Sequence, residues 1–126
     1  MGDEEFLHRL ADCSLPKDEF NHRGHVRAAY LVLNETEGFG AALARMRRLI
    51  TAYAESIGKA GLYHETITVA SMALINQRIA ESGESLSWEA FAAANPDLFE
   101  KEILATRYET ATLKSDLARQ VFLLPG

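Results

Sequence analysis

Apolar side chains return every three or four positions along three long stretches, and that period constrains the fold more than any other feature of the chain. From His22 to Asn34 the segment "HRGHVRAAYLVLN" is apolar almost all the way round once past its first turn. From Phe39 to about Ser56, Leu43, Met46, Arg47, Ile50 and Tyr53 follow the 3–4 spacing, and Gly58 and Gly61 mark the stop. From about His64 to Glu81, Ile67, Ala70, Leu74, Ile75 and Ile79 form a third stripe. A period near 3.6 gathers such positions on one face of a helix, where it can be buried. Strands would need sustained alternation with β-branched enrichment, and only the brief "TITV" inside the third stretch offers it.

Shorter elements fill the remainder. "EEFLHRLADC" places Phe6, Leu7, Leu10 and Ala11 on one stripe, a first short helix. Pro16 suits the first turn of a helix, where its missing N–H would be unpaired anyway. That turn runs into the helix beginning at His22 or is briefly broken before it. Ser87 is an N-cap for a short helix that stops near Asn95. Asn95-Pro96 reads as cap and first-turn proline for another through about Leu104. A final short helix spans Lys114 to Val121, followed by the apolar tail "FLLPG". The expectation is an all-α fold, a helical bundle of three long helices plus several short ones, forming a single domain over residues 1–126. With 126 residues such a domain buries roughly two thirds of its unfolded surface without needing staples.

Composition narrows the function classes. No apolar run reaches the roughly 18 residues of a membrane span, and the acidic start "MGDEEFLHRL" lacks a signal peptide's apolar core. One cysteine, Cys13, allows no internal disulfide, which suits the cytoplasm. A formal net charge of −5 argues against general affinity for nucleic acid or anionic membranes. Arg45, Arg47 and Arg48 in "ARMRRL" read as a solvated helix face.

The chemistry-bearing residues are histidines. His22 and His25 stand at i and i+3, so their Cβ atoms lie about 5–6 Å apart on one helix face. Two imidazoles so placed can meet one metal ion at bonds of roughly 2.0–2.1 Å. Gly24 between them costs about 1 kcal/mol relative to alanine in a helix interior, which asks for a close approach by another element or a helix that starts later. The second cluster, "YHETIT", puts His64 and Glu65 at the head of the third long helix. His64 is a candidate third ligand. Glu65 is a ligand, a partner that orients a metal-bound imidazole, or a general acid–base group. A site of His22, His25 and His64 suits zinc, iron, nickel or copper alike.

Each of these has a plain structural reading beside it. Desolvated imidazoles can be hydrogen-bonded core residues, and Glu65 can be a first-turn acid favoured by the helix dipole. His8 and Cys13 read as structural, as do Tyr63, Thr66 and Thr68. Glu19 with His22 matches the Glu-x-x-His pattern of di-iron bundles, but the second pair and the extra carboxylates are missing. No glycine-rich phosphate loop, nucleophile elbow or paired-cysteine zinc spacing is present.

The motif F-x-H-x-x-H-x-R-x-A (Phe20, His22, His25, Arg27, Ala29) with "YHETIT" and the late "RYETATLKSDLARQVFLLP" resembles a family of small bacterial all-helical proteins of uncharacterised function. The resemblance covers most of the chain and implies no activity. It implies that the two histidine clusters belong to one signature and meet in space. Where that family often has an aromatic residue after "ETIT", "VASM" stands here. The resulting expectation is a cytoplasmic helical protein whose pocket of His22, His25, His64 and Glu65 binds a divalent metal or works by acid–base chemistry on a small molecule. The competing expectation is a non-catalytic, self-associating helical module with the histidines in a hydrogen-bond network.

Overall fold

The computed structural model describes residues 1–125, and among these every regular element is helical. The chain divides into two compact units, residues 1–63 and a second from His64 onward.

The first unit opens with α1, Asp3–Ala11, whose first turn carries Asp3, Glu4 and Glu5 and whose last carries His8 and Arg9. Both groups complement the helix dipole. The helix buries Phe6, Leu7 and Leu10. Cys13 then takes a left-handed conformation (φ 65°), and Ser14 and Leu15 both donate backbone N–H groups to the Arg9 carbonyl. After Pro16 comes a single 3₁₀ turn, Lys17–Glu19, so the break before the next helix is real. Helix α2 spans His22–Glu35, and the Asn21 side chain caps it by accepting the Gly24 N–H at 2.9 Å. Its buried residues, Gly24, Val26, Ala28, Ala29, Tyr30, Leu31 and Val32, run nearly all round the helix. Helix α3 spans Phe39–Ser56 and ends through Gly58 in the left-handed region (φ 72°). A 3₁₀ turn, Ala60–Leu62, follows. Helices α1, α2 and α3 all pack on one another.

Two contacts explain residues that stood out in the sequence. A Cβ on Gly24 would collide with the Glu19 carbonyl oxygen, so the glycine marks the close approach of the preceding turn to α2. Arg27 reaches back to α1, donating to Asp3 Oδ1 at 2.7 Å and the Met1 carbonyl at 2.9 Å, while its guanidinium lies 4.5 Å from the centre of the Phe6 ring.

In the second unit α4 spans Glu65–Ser82, capped by the His64 side chain and closed by Gly83 at φ 68°. Ser87 caps α5, Trp88–Ala94, by accepting the Ala90 N–H at 3.1 Å. The single helix expected from Asn95-Pro96 through Leu104 is instead two 3₁₀ turns, Pro96–Phe99 and Ile103–Thr106. Asn95 does not cap with its side chain. Its Nδ2 donates to the Phe91 carbonyl, and its Oδ1, with the Asp97 carboxylate, accepts from Arg78 on α4 at 2.7–3.0 Å. That bidentate pairing holds the Asp97 carboxyl below the usual carboxylate range. Two short helices close the unit: α6, Thr110–Leu113, and α7, Asp116–Gln120, capped by Ser115. The long helices are therefore distributed, with α2 and α3 in one unit and α4 in the other.

The buried stripe of α4 is Thr66, Thr68, Met72, Leu74 and Ile75, and Ile67 is 40% exposed. Apolar spacing placed Ile67 inward. Thr66 takes that place because its hydroxyl is satisfied by the backbone of the chain's end: Oγ1 donates to the Val121 carbonyl at 2.8 Å and accepts the Leu123 N–H at 3.0 Å. Tyr108 adds a bond from its hydroxyl to the Leu123 carbonyl at 2.7 Å.

Candidate functional site

The first histidine cluster sits where the 3₁₀ turn meets α2. Because α2 begins at His22, His25 lies at the end of its first turn, and the turn before it brings Phe20 back over the imidazole. The two rings stack with centroids 3.9 Å apart and planes 15° from parallel. Tyr53 of α3 meets Phe20 edge-on at 5.0 Å. Tyr53 is 3% exposed, and its hydroxyl is anchored by donating to the Leu15 carbonyl at 2.5 Å.

These rings form one wall of a cavity of about 290 Å³ contained within the first unit. Its lining is mainly apolar, with Phe20, Ile50, Tyr53, Ala54, Ile57 and Leu62, and it includes His25, Tyr63 and two lysines, Lys17 and Lys59. Neither ring nitrogen of His25 has a hydrogen-bond partner among the described residues. Burial pushes the His25 pKa down to about 4, and His22 on the same helix face adds to the shift. The ring is therefore neutral at physiological pH, with one nitrogen a donor and the other an acceptor. Burial likewise raises the Tyr53 phenol, helped by Cys13 and Asp18, so it too stays uncharged.

The second cluster is built differently. His64 precedes α4, with its Nδ1 accepting the Ile67 N–H at 3.1 Å and its Nε2 lying 2.6 Å from the Leu113 carbonyl. A carbonyl only accepts, so Nε2 carries the proton and the ring is a neutral tautomer with both nitrogens engaged. The His64 backbone carbonyl also accepts the Thr68 hydroxyl at 2.8 Å. Glu65, half-buried, is the first residue of α4 and faces the positive end of the helix dipole.

Of the residues singled out from the sequence, His22 and His25 share one helix face, and His64 and Glu65 head α4 in the other unit. Among the described residues no group of three or more His, Cys, Asp or Glu side chains could hold a metal ion. His8 is exposed beside Asp12, Glu19 is exposed in its turn, and Cys13 is a half-buried free thiol. No helix among the described residues is long and apolar enough to cross a membrane.

Tyr53, Lys17 and Lys59 line the cavity although nothing in the local sequence marks them as cavity residues. Tyr53 was visible only as a core position of the α3 stripe. The lysines carry no local signal, because they come together through folding rather than spacing. No family model, curated protein or solved structure matches the chain.

Proposed function

We propose that this chain is a small-molecule-binding helical protein whose pocket, in the first unit, offers the neutral His25 imidazole to its ligand. The observation that carries the proposal is a ring stacked on Phe20, lining a mainly apolar cavity, with neither nitrogen used by the protein. A half-buried polar group without a partner costs free energy, and a ligand that hydrogen-bonds to it removes that cost. A few polar groups in a mostly apolar concavity are the usual make-up of such pockets.

Hydrogen-bonding recognition is favoured over proton abstraction. General bases work best with a pKa near the operating pH, and a group at about 4 lies well below it. A divalent metal held by His22, His25 and His64 is the weaker reading. It would require His64 to surrender its bond to Ile67 or to Leu113. The test is an NMR titration of the ¹⁵N-labelled chain with a fragment library, following the His25 ring nitrogens. Ligands should move those signals and lose affinity about three- to tenfold in His25→Phe, the worth of one neutral hydrogen bond. A library that shifts many residues but leaves His25 untouched would rule the proposal out.

A second reading, a self-associating module, is supported by a separate observation. Leu117, Val121, Phe122 and Leu124 are all exposed, Leu124 at 78%. Sedimentation of the wild type against Phe122→Ser with Leu124→Ser checks it: a dimer that becomes a monomer supports this reading, and a monomeric wild type refutes it.

A further inference from the structure

The charge around the His25 cavity selects what can enter it. Its ionisable lining residues are Lys17, Lys59, His25, Tyr53 and Tyr63, and no acidic residue is among them. Both lysines are exposed, so their ammonium groups stand at the solvent end, whereas Tyr53 is buried and His25 half-buried. Neither lysine is paired with a carboxylate among the described residues. The lining itself thus carries two positive charges and no carboxylate, with Asp18, next to Lys17, the acidic neighbour whose charge reaches Tyr53, on a chain whose formal net charge is −5. The overall field repels anions, so a cationic mouth on this one cavity is a specific feature rather than a reflection of composition.

Volume sets the second limit. At about 30 Å³ per water-sized group, a cavity of about 290 Å³ admits on the order of ten non-hydrogen atoms. Aromatic walls favour a flat apolar body.

Resting on the small-molecule reading above, we propose that the ligand is a small amphipathic organic anion. Its apolar, preferably aromatic body lies against Phe20, Ile50 and Ile57, and its carboxylate lies at the mouth with Lys17 and Lys59. Inside, His25 accepts or donates one hydrogen bond to a polar substituent on that body. Cations are rejected by the same two lysines.

Three probes of one shape and different charge test this: phenylpropanoate, phenylpropanol and phenylpropylamine, each titrated into the ¹⁵N-labelled full chain. Phenylpropanoate should bind about three- to tenfold more tightly than the alcohol, the worth of two solvent-exposed ion pairs. The amine should bind most weakly. In the double variant Lys17→Gln with Lys59→Gln, the preference for the acid should vanish while the alcohol binds as before. Equal or tighter binding of the alcohol or amine, or a preference that survives in the double variant, overturns the anion assignment and leaves the pocket standing. If none of the three moves the signals of His25 and its neighbours, both the assignment and the small-molecule reading fall.

Discussion

His25 and His64 are the same residue type in opposite circumstances, and their neighbours decide the difference. His64 spends both nitrogens on backbone, one capping α4 and the other on the Leu113 carbonyl. Removing the ring in His64→Ala should cost about 1–3 kcal/mol, since it uncaps a helix and strands a carbonyl. His64→Asn, with a good capping side chain, should recover roughly 1 kcal/mol of that. Urea unfolding of the three proteins measures the split; equal loss in both variants would show that capping is not what His64 contributes. The spacing of His22 and His25 was readable in the sequence, and so was their place at the head of a buried helix. The stacking on Phe20 was not, because it depends on how the intervening turn folds back.

At the level of elements, two glycines in helices make a matched pair. Gly24 in α2 lies against the Glu19 carbonyl, and Gly40 in α3 faces open space. Gly24→Ala should therefore destabilise by about 1–3 kcal/mol, as overpacking does, while Gly40→Ala should stabilise by about 0.4–1 kcal/mol through the unfolded chain. Denaturant midpoints for both variants check the sign of each. The apolar tail is tied to α4 by one hydroxyl, so Thr66→Val should cost about 1–2 kcal/mol. It should also speed hydrogen exchange at the Leu123 amide, and an unchanged exchange rate would refute this role. Periodicity places the ends of α2, α3 and α4 to within about one residue, and for α3 a glycine stop signal adds to it. The two 3₁₀ turns after Asn95 do not follow from periodicity, because Arg78 reaches them from a distant part of the chain.

For the molecule as a whole, His25 links stability to pH. Its folded pKa, about 4, lies below the ordinary histidine value of about 6.5. Between those values the unfolded chain binds a proton that the folded chain does not, so stability falls as the pH drops through that window and is fully present above it. The slope from this one group is at most about 1.4 kcal/mol per pH unit, less because the ring is only half-buried. Far-UV circular dichroism of urea unfolding at pH 7 and pH 5 should show a larger loss in wild type than in His25→Phe, which keeps a ring on Phe20 but cannot titrate. Equal losses would mean that His25 protonates freely in the folded state.

Local rules were enough for the all-helical class, the three long helices, the cap at Ser87, the stop at Gly58, and the expectation that α2 is buried nearly all round. Each depends on residues within a few positions of one another, where periodicity and capping chemistry act. Folding alone decided that the long helices divide between two units, that Thr66 rather than Ile67 is buried, and that His64 is consumed by its own backbone contacts. It alone brought Lys17, Tyr53 and Lys59 to the cavity beside His25. Those outcomes turn on partners far apart in the chain, since a polar group is buried only where a distant partner satisfies it, and a pocket exists only where distant walls converge.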